Sequence, residues 1–166
     1  FKKIKIVSEL LNKESVKRVQ EFIKKFDSNL KILVLDTTAR TAKDAANSLK
    51  CELGAIVKSL VFRAESDFLI CLVAGDKRCS LNKLKKILDK KDVSMANADE
   101  VKVNTGFSIG GVAPVGHLKK LNILIDKSLS RFQYIYGAAG HPDCVFKITY
   151  SELIKLTKGS EKEIIK

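Results

Sequence analysis

Proline is nearly missing from this chain: Pro114 and Pro142 are the only two in 166 residues. Both sit among glycines, so the stretches that hold them read as loops and not as strand interiors. Cysteine is scarce too. Cys51, Cys71, Cys79 and Cys144 form no CxxC pair, which argues against a metal ribbon and against a disulfide framework, and suits reduced thiols in a cytosolic protein. No apolar run approaches the ~20 residues a bilayer crossing requires, the longest being residues 68–74 and 121–125, so no membrane span is expected. The basic opening at residues 1–6 runs straight into Glu9, Lys13 and Glu14 without the apolar segment of a secretory signal. Internal repeats and low-complexity linkers are likewise missing.

What remains is 45% hydrophobic and 30% charged, the balance of one soluble domain with a real core. Thirty-one basic residues against nineteen acidic ones give a formal charge of +12. Such an excess favours polyanionic partners, nucleic acid first, and makes that binding salt-dependent. Most of it is lysine, in a chain also rich in Ile and Asn, which an AT-biased coding sequence produces without any binding purpose. Both readings stand on charge alone.

Val16, Val19, Ile23 and Phe26 recur at helical spacing and predict an amphipathic helix over residues 13–26. A short strand over 31–35 follows. Thr41 with Asp44 reads as a capping box that opens a helix through Leu49. Residues 55–62 and 68–74 are apolar strand candidates joined by a hairpin turn at Glu65-Ser66-Asp67. A helix from Leu81 to Leu88 carries Lys83, Lys85 and Lys86, and a second capping box, Asn97 with Glu100, opens a short helix. Strands over 122–125, near 134–136 and over 145–148 come next, with a helical turn after Asp126. Thr149 with Glu152 caps a last helix. The interleaving predicts an α/β (α+β) single domain, a mixed β-sheet flanked by helices. A charged tail follows the last helix.

The most unusual stretch is Thr105-Gly106-Phe107-Ser108-Ile109-Gly110-Gly111-Val112-Ala113-Pro114-Val115-Gly116-His117. Its glycines imply backbone conformations that side chains forbid, and such loops can aim N–H groups at an anion or a developing oxyanion. It is no Walker A loop, because His117-Leu118 stand where Lys and Ser/Thr belong, and the adjacent Gly110 and Gly111 break GxGxxG. The other reading is a tight helix-to-strand connection. Lys58 interrupts an apolar strand, where a lysine either faces a cleft or an anionic ligand, or reaches solvent from a sheet edge. Residues 137–143 form a further glycine-rich turn. His117 and His141 adjoin these loops and could serve as bases near neutral pH. No Ser–His–Asp order and no G-x-S-x-G elbow occurs, and Cys144 lies in a strand, a poor place for a nucleophile.

In combination these stretches resemble the YbaK/EbsC-like aminoacyl-tRNA deacylases, a family related to the editing insertion domain of bacterial prolyl-tRNA synthetases. The resemblance runs from about Ser15 to Lys158, and it implies a domain over residues 15–158 with an extension over 1–14 and a charged tail over 159–166. It is carried by Ala39-Arg40-Thr41-Ala42 with Ala45-Ala46, Gly54-Ala55-Ile56-Val57-Lys58-Ser59-Leu60-Val61-Phe62, Gly75-Asp76, Thr105-Gly106, the run from Gly110 to His117, Ile125-Asp126, and the segment from Gly137 to Pro142. It implies a YbaK-like fold and a free-standing editing factor. Such a factor hydrolyses the ester of a mischarged small amino acid (alanine, cysteine or 2-aminobutyrate) on tRNA, with tRNA for proline first. The logic is that synthetase pockets discriminate weakly among small apolar side chains, so a second site destroys the errors.

By position, the resemblance makes Lys58, Gly110 and Gly111 the catalytic candidates. Arg40, Thr41, Ser59, Ile109, Pro114, Gly116, His117, Gly140 and His141 become candidate substrate contacts. It implies water attack aided by the substrate's own ribose hydroxyl or thiol, with no protein nucleophile, no metal and no cofactor. The partners it implies are mischarged tRNA and, second, prolyl-tRNA synthetase, for a cytoplasmic chain taken as a monomer. Lys83, Lys85, Lys86, Lys90 and Lys91 are candidate phosphate contacts, or simply a solvated helix face. Some cysteine-specific members carry an aspartate near the last strand. Here an apolar residue takes that slot beside Asp143, which favours alanine or 2-aminobutyrate. A non-catalytic module that binds aminoacyl-tRNA or a synthetase is the alternative.

Overall fold

Alternate residues of one central strand feed two hydrophobic cores, and that strand organises the molecule. The structure, a computed structural model, describes residues 2–36 and 41–166. In chain order the elements are α1 (Lys2–Leu11), α2 (Glu14–Phe26), β1 (Ile32–Val34), α3 (Ala42–Leu49), β2 (Val57–Ala64), β3 (Asp67–Ala74), α4 (Leu81–Leu88), β4 (Val93–Met95), α5 (Ala98–Thr105), β5 (Asn122–Asp126), β6 (Ile135–His141), β7 (Cys144–Ile148), α6 (Tyr150–Thr157) and β8 (Ser160–Lys162), with 3-10 turns at Leu53–Ala55 and Lys127–Arg131. The strands form a mixed five-stranded sheet, β4-β2-β3-β5-β8, and a three-stranded antiparallel sheet, β1-β7-β6. A single parallel bridge between Ile56 and Tyr136 links the two.

β3 is the central strand. Ile70, Leu72 and Ala74 enter the larger core with α2, β6 and β7, while Leu69, Cys71 and Val73 meet Leu84 of α4, Val93 and Ile164 on the other face. A strand covered on both faces reads as a continuous apolar run, as 68–74 does. α2 contributes Val16, Val19 and Ile23, all fully buried, each worth about 1.5–3 kcal/mol relative to exposure. Its Lys17, Lys24 and Lys25 face solvent. The three expected capping boxes form, at Thr41/Asp44, Asn97/Glu100 and Thr149/Glu152. The expected hairpin also forms, with Ala64 opposite Asp67 and Glu65 at φ +56°.

The expected glycine turn over 137–143 is largely strand instead. β6 continues through His141, with a register shift between Ala138 and His141, and only Pro142-Asp143 turn the chain back into β7. Gly137 and Ala139 point into the core, where a Cβ on Gly137 would lie 3.2 Å from the Phe146 ring and 3.3 Å from Pro114. The small residues serve close packing and not a turn.

The segment expected as a charged tail also joins the fold. β8 pairs in parallel with β5, Ile164 is fully buried, and its N–H donates at 2.7 Å to Asp126 Oδ1. At the other end, residues expected as an extension form α1, which buries Leu10 in the larger core. No helix among the described residues is long and apolar enough to cross a membrane.

Candidate functional site

β2 has an unpaired stretch of edge. One side pairs with β3 along its whole length, but the other meets β4 only from Phe62 to Ala64, and the bridge to Tyr136 falls at Ile56. Among the described residues, no strand covers the edge between those two points. A cleft of about 220 Å³ opens along it. Val57, Lys58, Ser59 and Leu60 form one wall, Ala42 and Ala45 of α3 a second, Tyr136 and Ala138 of β6 a third, and Ile109, Gly110 and Pro142 the rim. Backbone groups left free on a strand edge are ready donors and acceptors for a bound ligand.

The sequence of each wall explains its position. Thr41 starts α3 by accepting from Asp44 N–H at 3.1 Å, which sets Ala42 and Ala45 against the cleft. The Ser108-Ile109-Gly110-Gly111 turn is closed by Gly111 N–H donating to Ser108 O at 3.0 Å, and its third residue, Gly110, sits at φ +94°, where glycine is strongly favoured. Gly75 N–H donates at 2.8 Å to Ile56 O, and a Cβ there would fall 2.3 Å from Leu53 O, so this glycine allows the end of β3 to grip the start of β2. Asp76 next to it takes both arms of Arg131, at 2.7 and 3.0 Å, and that guanidinium holds its carboxyl below the ordinary range.

Lys58 is half-buried, and its ammonium donates to the backbone carbonyl of Lys77. Burial and then the charge of Arg78 push its pKa below that of an ordinary lysine. Ser59 Oγ is buried with no hydrogen-bond partner among the described residues, although Ser59 lines the cleft. Leaving a buried hydroxyl unpaired costs about 1–3 kcal/mol, which a bound polar group would recover.

Of the residues singled out from sequence, the cleft thus brings together Thr41, Lys58, Ser59, Ile109 and Gly110. Arg40 lies outside the described residues. Gly111 stands behind the rim: its N–H is already committed to the turn, and a Cβ on it would sit 3.0 Å from the His141 backbone. Gly111 is not among the residues that line the cleft, and it packs against the backbone of His141. Pro114 is buried against Gly137.

Gly116 and His117 lie elsewhere. Gly116 O accepts from Arg18 Nε at 2.7 Å, and His117 Nε2 donates to Ala113 O at 2.7 Å, its ring edge-on to Phe107, which lies under the Arg18 guanidinium. Burial depresses the His117 pKa. Gly140, at φ +87°, anchors α2, because its carbonyl accepts from Ser15 Oγ at 2.9 Å. His141 Nδ1 accepts from Asp143 N–H at 3.1 Å, and His141 does not line the cleft although its neighbour Pro142 does. The Cys144 thiol is buried and pushed up to about 11, as a structural cysteine should be.

Two of the candidate phosphate lysines are engaged within the protein, Lys83 to Ile165 O at 2.7 Å and Lys90 to Glu65 at 3.5 Å. Sequence reasoning missed Ala42, Ala45, Tyr136, Ala138 and Pro142 as cleft residues. The small side chains among these residues were visible in the sequence, but nothing local signalled that α3 and β6 converge.

Comparison with known proteins shows which family this fold and cleft belong to. The chain matches the aminoacyl-tRNA editing domain over residues 36–156 and belongs to that family. It is 32% identical over 140 residues to the uncharacterized protein YwhH of Bacillus subtilis, covering 84% of this chain and 88% of that protein. It is also 31% identical over 150 residues to the proline–tRNA ligase of Caldicellulosiruptor saccharolyticus, which is 90% of this chain but 24% of that ligase. In three dimensions it superposes with a TM-score of 0.88, at 35% identity, on the crystal structure of a protein put forward as a trans-editing enzyme for prolyl tRNA synthetase, covering 93% of this chain and 98% of that one.

Proposed function

We propose that the chain is a trans-editing aminoacyl-tRNA deacylase that removes a small mischarged amino acid, alanine or 2-aminobutyrate before cysteine, from tRNA for proline. The observation that carries this reading is the cleft itself. At about 220 Å³, with Ala42, Ala45 and Ala138 in its walls, it suits a side chain of one or two carbons beside an ester, and Lys58 lines it. The family membership and the likeness to a ligase for proline support the tRNA assignment.

In this reading the aminoacyl group enters the cleft with its ester along the free edge of β2. Backbone N–H groups there polarise the carbonyl, and Ser59 Oγ meets a polar group of the amino acid. Water adds to the carbonyl carbon, the ester C–O bond breaks, and the products are the free amino acid and the ribose hydroxyl of the terminal adenosine. Among the described residues the lining offers no carboxylate or imidazole as a base, so the substrate's neighbouring ribose hydroxyl relays the proton. The Lys58 ammonium orients the RNA end by its phosphate.

The same lack of a protein base favours one other reading, a module that binds aminoacyl-tRNA without cleaving it. Deacylation of alanyl-, 2-aminobutyryl-, cysteinyl- and seryl-tRNA for proline, beside prolyl-tRNA, decides between them. Turnover of one or two mischarged species with prolyl-tRNA spared supports the enzyme. Binding of all without turnover supports the module.

A further inference from the structure

Lys58 stands on a ridge between two depressions. On its far side from the cleft lies a larger groove of about 510 Å³, which shares Lys58 and Leu60 with the cleft and is further lined by Arg78, Leu81, Met95 and Lys166. Its chemistry differs from that of the cleft. Leu81 and Met95 are large apolar side chains left 39% and 59% exposed, beside three cations and, among the described residues, no Asp or Glu side chain. Among the described residues, no ion pair engages Arg78. The groove is also preformed: Lys166 N–H donates at 3.0 Å to Arg78 O, Ile165 bridges Cys79, and Ser80 caps α4.

We propose that this groove is the binding site for the terminal nucleotide of the RNA, its base lying on Leu60, Leu81 and Met95 and its phosphate held between Arg78 and Lys58. The proposal rests on the deacylase reading and deepens it. An amino acid esterified to a ribose has the base and the 5′-phosphate of that same nucleotide within one residue's reach. With the aminoacyl group in the cleft, both must emerge across Lys58. An apolar floor takes a base face without reading its edges, and a cationic rim takes a phosphate. The mutual repulsion of Lys58 and Arg78, which contributes to lowering the Lys58 pKa, is relieved when an anion lies between them.

The test uses the RNA trinucleotide CCA, free of any amino acid, titrated into the protein and followed by amide chemical shifts and by affinity. Shifts are expected at Arg78, Leu81 and Met95. Arg78→Glu and Met95→Asp, both on exposed positions, should each weaken binding about tenfold or more. A trinucleotide lacking its terminal base should bind correspondingly worse. Shifts confined to Ala42, Ile109 and Ala138, or no detectable binding, or unchanged affinity of both variants would overturn the proposal. Turnover of mischarged tRNA, measured in parallel, separates the two readings. If CCA fills the groove but nothing is hydrolysed, the deacylase reading fails and the groove stands. If tRNA is deacylated with kcat/KM unchanged in both variants, the groove fails and the deacylase stands.

Discussion

The ammonium of Lys58 donates to the backbone carbonyl of Lys77, nineteen residues further along the chain, and so latches the first half of β2 to the turn that leaves β3. The acceptor is neutral, so the lysine keeps its charge for a ligand while its position is fixed. Lys58→Ala and Lys58→Met should lower deacylation kcat/KM by about a hundredfold or more, the scale of losing one preorganised charged donor. The urea midpoint should fall only by the modest amount one part-buried hydrogen bond contributes, less in free energy than the loss of activity. Equal losses of activity and stability would mean that the lysine serves the fold alone.

Gly110 and Gly140 both occupy the left-handed region, at φ +94° and +87°, but their surroundings differ. A Cβ on Gly110 meets Pro142 Cγ at 3.4 Å, whereas one on Gly140 lies 2.5 Å from the carbonyl oxygen of Ser15. Gly110→Ala is therefore expected to cost about 1 kcal/mol from backbone strain. Gly140→Ala should cost about 3 kcal/mol, because α2 must also shift. Urea unfolding of the two variants measures the difference.

Ala138 sits on the cleft wall formed by β6. Ala138→Val fills part of that space without touching Lys58. It should lower turnover of 2-aminobutyryl-tRNA relative to alanyl-tRNA by about tenfold, the discrimination one methylene commands in a tight pocket. A parallel loss on both substrates would place the amino-acid side chain elsewhere.

Asp76 is held below the ordinary carboxylate range, chiefly by its bond to Arg131. A carboxylate with a depressed folded-state pKa stabilises the protein fully above its unfolded value, and that contribution fades as the pH falls through the lowered one. The side chains are 33% and 40% exposed, so the contribution is small and sensitive to salt. Asp76→Asn should therefore be less stable than the parent at pH 7 and converge with it as the pH falls below the ordinary aspartate range. Urea midpoints across that window test the sign.

Ile164 is fully buried, and its N–H supplies one of the two backbone donors that satisfy buried Asp126, the other being Ser128 N–H at 2.9 Å. Ile164→Ala is expected to cost about 2–5 kcal/mol through the cavity it leaves. Removing residues 160–166 should cost more, since Asp126 then loses a partner as well. Thermal unfolding of both variants reads the order.

How much of this was legible from the sequence depended on range. The capping boxes at Thr41, Asn97 and Thr149 are contained within four residues each, and the β2–β3 hairpin within a few more, so local pattern found them. The pattern predicts only a short strand near 134–136 because Gly137, Ala138, Ala139 and Gly140 carry little strand propensity; Gly137 is suited to β6 by its close packing on the Phe146 ring and Pro114, and Gly140 by its approach to Ser15. β8 reads Ser-Glu-Lys and is wholly exposed, so no periodicity marks it; its pairing with β5 and the burial of Ile164 just beyond it are tertiary facts. Lys58 and the Gly110 turn stood out as local anomalies. The walls opposite them come from α3 and β6, distant in sequence, and only the fold brings these together.

The uncovered stretch of β2 has a consequence for handling the protein. An open strand edge flanked by Val57, Leu60 and Val61 is a template on which a second chain can add its own strand, and nature guards such edges with lysine. Lys58 stands there as a sentinel against self-association as well as at the mouth of the cleft. Variants that neutralise it trade away both duties, and their solutions should grow sticky as concentration rises.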